Sequence, residues 1–129
     1  MQRAVIFDKD GVLNIDAGIT TDAPVLYPES AAVIAACRKQ GLRVFVATNQ
    51  PIVARGIMTE DALRDSLRRF EDALRDRDAN AVIDKIYYCP HHPNANVPAY
   101  RAVCECRKPR PGMLMTAARE FSIDLSASF

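Results

Sequence analysis

The sequence lacks three things that would narrow its function at once. It has no charge excess, with 17 basic and 16 acidic residues across 129 positions. Bases and acids are interleaved with no basic face, which argues against nucleic acid as the partner. It also has no apolar run near the ~18–20 residues of a membrane span, and its start passes directly into a short strand-like run without a signal-peptide core. Finally, it has no internal repeat and no low-complexity linker. What is present fits a single domain, residues 1–129, with enough apolar side chains for one core. Of the four cysteines, three lie close together with a histidine, so they need not be disulfides. A reducing cytoplasm is the simpler compartment.

Two kinds of segment alternate. Ala4-Val5-Ile6-Phe7, Val44-Phe45-Val46-Ala47, and Val82-Ile83 continuing through Ile86-Tyr87-Tyr88 are short runs rich in β-branched and aromatic residues. Between them lie helical patterns. Residues 29–40 are alanine-rich and stop at Gly41, a helix-terminating residue. Residues 59–76 open with Thr59-Glu60-Asp61, an N-cap followed by first-turn acids. Leu63, Leu67, Phe70 and Leu74 then form one apolar stripe. A third helix is expected from Pro111, with Leu114, Ala117, Ala118 and Phe121 inward. Strand–helix alternation with near-continuous apolar strands predicts an α/β fold, a Rossmann-like parallel sheet with helices on both faces. Ligands in such sheets bind beyond the carboxyl ends of the strands. Each run here ends in chemically capable residues: Asp8, Thr48-Asn49 and Cys89. Two long loops, 11–27 and 89–110, interrupt the alternation, and loops of that length in a small domain are usually functional.

Asp8 and Asp10 lie two residues apart after the first strand, which places them on one side of extended chain. Carboxylates so placed can share a hard divalent cation, or divide nucleophilic and acid/base roles. A capped Asp-Gly turn is the bland alternative. Thr48 and Asn49 follow a strand directly, where a hydroxyl and nearby N–H groups can hold a phosphate. Arg107 and Lys108 precede a proline-initiated helix whose N-terminus favours anions.

Taken together, "DKDG", then "TN", then a lysine before proline resemble the haloacid dehalogenase superfamily of phosphotransferases. The resemblance implies Asp8 as the nucleophile that attacks phosphorus and Asp10 as the acid/base. It implies Thr48 and Lys108 as holders of the phosphoryl oxygens, with Mg2+ at Asp8 and Asp10.

"CPHHPNANVPAYRAVCECRK" contains Cys89-x-His91 and Cys104-x-Cys106. Three thiolates and one imidazole have the composition of a closed structural zinc site. A disulfide between two of the thiols, or free cysteines, are the competing readings. His92 reads as a loop residue, and Cys37 as a small core residue. This loop, with "DKDGVLN", "TNQ…ARG" and "CECRKPRPGM", resembles the capless D,D-heptose 1,7-bisphosphate phosphatases, a branch related to the histidinol phosphatases. The resemblance implies a phosphatase acting on a heptose bisphosphate in lipopolysaccharide precursor synthesis, with Zn2+ bracing the loop in place of a cap. It implies a sugar pocket lined by Asp16, Ala17, Gly18 and Ile19 and by Thr48, Asn49, Gln50 and Pro51, with Arg107 on the distal phosphate. Pro51 stands where that branch most often has serine, and proline lacks an N–H donor.

The family's further acidic strand, which completes its magnesium site, has no counterpart before Phe129. The domain is therefore expected to be C-terminally incomplete, and hydrolysis by residues 1–129 alone is expected to be weak or absent. Histidinol-phosphate hydrolysis, or an inactive scaffold of the same fold, are the alternatives. The expected partner is a small phosphosugar, with neither nucleic acid nor membrane involved and the chain acting as a monomer.

Overall fold

A computed structural model describes residues 1–129. Three strands form a parallel sheet in the order β1-β2-β3: β1 (Ala4–Phe7), β2 (Arg43–Asn49) and β3 (Lys85–Cys89). Three helices accompany them: α1 (Ser30–Lys39), α2 (Glu60–Arg77) and α3 (Gly112–Phe121). Short 3-10 turns occupy Pro98–Tyr100 and Leu125–Ala127.

The central strand shows how the layers arise. Side chains alternate across a strand, so Val44 and Val46 face one way, joining Leu13, Ile34, Phe70 and Leu74 from the first loop, α1 and α2. Phe45 and Ala47 face the other way, joining Tyr87, Met113, Ala117 and Ile123 around α3. Helices thus cover both faces, as the continuous apolar strands require. Phe45 is fully buried, and truncating such a side chain to alanine costs about 3–5 kcal/mol.

The helices form where the sequence places them. Thr59 caps α2, its hydroxyl accepting from Ala62 N–H at 3.1 Å, and all four residues of the stripe are buried. The α1 segment ends at Lys39, two residues before Gly41, whose φ of +76° suits glycine. In α3 the buried residues are Met113 and Ala117, while Leu114, Ala118 and Phe121 pack at the margin of the same cluster. Cys37 is half-buried against the α1–α2 core.

The third strand is shorter than its apolar run suggests. Val82 and Ile83 lie before β3 and outside the ladder. Their neighbour Asp84 explains the interruption. Its carboxylate accepts from Val44 N–H, Arg43 and Arg38, each at 2.8 Å, while Arg38 also donates to Val82 O at 3.2 Å. Burial opposes charge on Asp84, yet these donors outweigh it and hold the carboxyl below its ordinary range. The outer side of β1 is met by Phe129, whose N–H donates to Ala4 O and whose carbonyl accepts from Ile6 N–H, both at 2.9 Å.

Sheet register decides where the chemistry gathers. Phe7 lies beside Val46, and Asn49 beside Cys89. Asp8, Thr48-Asn49 and Cys89 therefore emerge along one edge of the sheet.

Candidate active site and Cys/His cluster

Asp8 leaves β1 with its carboxylate about half exposed, and Lys108 approaches it from the segment before α3. Lys108 Nζ donates to Asp8 Oδ1 at 2.9 Å, with side-chain exposures of 34% and 48% for the lysine and the aspartate. The same Asp8 oxygen accepts from Lys9 N–H at 2.8 Å. Asp8 Oδ2 accepts no hydrogen bond. Lys108 is itself placed by Asn49. Asn49 Nδ2 donates to Lys108 O at 3.2 Å, and Lys108 N–H donates to Asn49 Oδ1 at 2.9 Å. This reciprocal pair ties the end of β2 to the lysine segment. Gly112 anchors that segment from the other side. Its N–H donates to Glu105 O at 2.9 Å, and a Cβ there would fall 2.2 Å from that oxygen, so only glycine fits.

Asp10 is held at the turn that follows. Gly11, at φ +84°, lets the chain reverse there, and Gly11 N–H donates to Asn14 O. Asp10 Oδ1 accepts from Asn14 Nδ2 and from Lys9 Nζ, each at 3.1 Å, while Gln50 Nε2 reaches Oδ2 at 3.5 Å. Gln50 also donates to Thr48 Oγ1 at 3.2 Å, bridging the threonine to the acid/base candidate. Thr48 is only 1% exposed, its hydroxyl covered on this side by Gln50.

A cleft of about 230 Å³ opens beside Asp10. Ala17, Gly18 and Ile19 from the first loop, with Asn49, Gln50 and Pro51 from the end of β2, line it. Asp16, Thr48 and Arg107 do not. Asp16 turns back to accept from Gly18 N–H at 3.0 Å and shapes the loop, while Arg107 lies outside the lining. The opposite wall comes from Met58, Leu63, Ser66 and Leu67.

Lys9 and Asn14 were not singled out from sequence. Lys9 is 5% exposed, and its ammonium sits 4.9 Å above the Phe70 ring while pairing with Asp10. A lysine between two aspartates does suggest charge neutralisation. Its burial, however, depends on an α2 aromatic that no local pattern connects to it. Asn14 is buried, and its Oδ1 has no hydrogen-bond partner.

The four metal-ligand candidates converge. Cys89, His91, Cys104 and Cys106 present ligand atoms within 4.8 Å of one another. Cys89 Sγ and Cys104 Sγ are 3.4 Å apart, Cys104 and Cys106 Sγ 3.3 Å, and His91 Nδ1 lies 3.4 Å from Cys106 Sγ and 3.7 Å from Cys89 Sγ. Bonds of ~2.3 Å to sulfur and ~2.0 Å to nitrogen give tetrahedral edges of roughly 3.5–3.8 Å. The Cys89 and Cys106 sulfurs are the nearest pair, within reach of a disulfide, with Cα atoms 5.5 Å apart. A bond there would use two of the four groups and leave His91 and Cys104 aimed at the same point. His92 stays outside, accepting from Asn94 N–H at 3.0 Å.

No protein-family model matches the chain. It is 41% identical over 128 residues to the D-glycero-beta-D-manno-heptose-1,7-bisphosphate 7-phosphatase of Photorhabdus laumondii, covering 98% of this chain and 67% of that one. The chain belongs to the heptose-bisphosphate phosphatase family. The Escherichia coli K12 relative of the same name is 40% identical over 129 residues, with 98% of this chain and 66% of that one covered. Among solved structures, the D,D-heptose 1,7-bisphosphate phosphatase from B. bronchiseptica, complexed with magnesium and phosphate, superposes with a TM-score of 0.78. It is 33% identical and covers 97% of this chain and 66% of that one. The chain thus spans about two thirds of the length of the family members it matches. The strand-end aspartates, the Lys108 segment and the Cys/His loop all lie within the matched region of this phosphatase family.

Proposed function

We propose that the chain carries the nucleophile, acid/base and sugar-pocket residues of a phosphatase that removes the 7-phosphate of D-glycero-D-manno-heptose 1,7-bisphosphate. The observation that carries this reading is the half-exposed Asp8 carboxylate, one oxygen pinned by Lys108 Nζ and Lys9 N–H, the other free. A free carboxylate oxygen held in position is what in-line attack on phosphorus requires. The phosphorus–oxygen bond to the sugar breaks as the Asp8–phosphorus bond forms. Asp10 gives its proton to the departing alkoxide. It then takes a proton from water, whose oxygen attacks the phosphorus of aspartyl-phosphate to free Asp8 and inorganic phosphate. Lys108 supplies positive charge where the equatorial phosphoryl oxygens gather charge.

The Asp8 carboxylate oxygen that does not attack phosphorus, and the Asp10 backbone carbonyl, are hard oxygen donors that would suit Mg2+. When bound there, magnesium supplies further neutralisation of the phosphoryl charge. With the Cys89 and Cys106 thiols reduced, Cys89, His91, Cys104 and Cys106 fit Zn2+ by donor type and by the 3.3–3.7 Å separations of four of their six pairs. In this reading the ion is structural, fixing loop 89–106 with residues 1–129 acting as one domain. Arg107 and Asp16 act only if the loops draw in around a bound phosphosugar. The names of the relatives favour the heptose substrate over histidinol phosphate.

The test is phosphate release from both substrates with Mg2+, on the wild-type chain and on Asp8→Asn, with mass spectrometry of acid-quenched samples for phosphorylated Asp8. The expected outcome is a preference for the heptose bisphosphate and loss of both turnover and phosphoenzyme in Asp8→Asn. Preference for histidinol phosphate, or turnover surviving Asp8→Asn, contradicts the reading.

A further inference from the structure

Glu60, the first residue of α2, occupies a place that the reaction chemistry does not use. Two tyrosines from different segments converge on its carboxylate. Tyr88 of β3, the neighbour of Cys89, donates to Oε1 at 2.8 Å, and Tyr100 of the Cys/His loop donates to Oε2 at 3.1 Å. Arg64, one helical turn on, donates to Tyr88 Oη at 2.8 Å and to Glu60 Oε1 at 3.2 Å. The hydrogen bond from Tyr88, followed by that from Tyr100, outweighs desolvation and holds the Glu60 carboxyl below its ordinary range. The two rings lie behind the cleft. Both pack on the cluster of Ile52, Val53, Leu63 and Leu67, of which Ile52, Leu63 and Leu67 face the cleft itself. The loop grips the same wall a second time through Val97 N–H, which donates to Ala54 O at 3.0 Å.

We propose that Glu60 is a positioning residue that locks loop 90–103 against the outer wall of the cleft, through Tyr100 and Tyr88, and so sets the shape in which the phosphosugar is received. The role in substrate reception rests on the function proposed above, while the locking of the loop does not. Without the carboxylate, both phenols lose their shared acceptor at once. The loop then separates from the 51–57 turn and the wall loses its backing.

The experiment measures amide hydrogen exchange across residues 90–103 in the wild-type chain, Glu60→Ala, Tyr100→Phe, the double variant and Asp61→Ala. Asp61 is the control, since it is an acid in the same helical turn but 96% exposed. Expected are about tenfold faster exchange in Glu60→Ala, most of that change in Tyr100→Phe, and a double variant no worse than Glu60→Ala. Asp61→Ala stays at the wild-type rate. Unchanged exchange in Glu60→Ala, equal effects in Asp61→Ala, or full additivity with Tyr100→Phe overturns the locking. Tyr100→Phe removes a single oxygen and keeps the comparison if Glu60→Ala fails to fold. Where the wild type hydrolyses the heptose bisphosphate, KM rises about tenfold in Glu60→Ala while kcat stays within about threefold. The reverse split overturns the role in reception. Where the wild-type chain shows no turnover, loop exchange still decides the locking, and affinity for the heptose bisphosphate, about tenfold weaker in Glu60→Ala, decides the role in reception.

Discussion

Lys108 and Asp8, separated by 100 positions in sequence, meet at 2.9 Å where the first strand ends. Asn49 from the central strand holds the lysine backbone on both sides of that contact. The nucleophile candidate, its cationic partner and the threonine segment are thus one hydrogen-bonded unit built from three distant pieces of chain.

Replacing Lys108 with alanine removes the cation and leaves the Asn49 contacts, which use the lysine backbone. Turnover is expected to fall about 10²–10³-fold, the usual cost of losing one charge-stabilising donor. Because the ion pair is half-exposed, stability should change by less than about 1 kcal/mol. Steady-state kinetics beside thermal melting checks both, and a large loss of stability would mark Lys108 as structural.

Lys9 offers a sharper separation. Lys9→Met keeps a long side chain over Phe70 and removes the contact to Asp10 Oδ1. The fold should persist, while kcat falls at least about tenfold because Asp10 loses one of its fixed partners. A variant with wild-type kcat would show that Asn14 and Gln50 suffice to place Asp10.

The Cys/His cluster separates its two readings by metal and mass. With a bound ion, the purified chain holds about one zinc per chain, Cys104→Ser loses it, and Cys37→Ser keeps it. A chelator then loosens loop 89–106 and a reductant does not. With the Cys89–Cys106 disulfide as the resting state, the intact mass is lower by about two hydrogens. In that case Cys104→Ser is harmless and the reductant is what loosens the loop.

Much of this arrangement was legible in the sequence, because parallel sheets advertise themselves. Continuous apolar strands, a capped helix with a clean stripe, and polar residues at each strand end located the sheet edge, while the family resemblance supplied the part of the cleft lining that was named. The four Cys/His donors were legible through paired short spacings. Lys9, Asn14 and Glu60 were not, since their roles depend on partners brought in by tertiary packing: Phe70, the Asp10 carboxylate, Tyr88 and Tyr100. Val82 and Ile83 misled for a similar reason. Their β-branched character suits a strand, but Asp84 turns toward two arginines and starts the ladder after them.

Asp84 also sets an acid limit. Its carboxyl is held below the ordinary aspartate value of 3.8, and Glu60 below 4.5. Both therefore contribute stability above those values and lose it as pH falls below them, Glu60 from 4.5 and Asp84 from 3.8 downward. Asp84→Asn should cost about 2 kcal/mol at neutral pH, the scale of hydrogen bonds to a charged group. Its stability should then fall less steeply in acid, as urea unfolding at pH 7, 5 and 3 would reveal.

The central claim is that Asp8 attacks phosphorus. The most direct measurement is mass spectrometry of peptide 4–38 after rapid acid quench of the chain mixed with heptose bisphosphate and Mg2+. A phosphoryl group on Asp8, absent in Asp8→Asn together with phosphate release, is the predicted result. Phosphate release from Asp8→Asn at the wild-type rate would contradict the account.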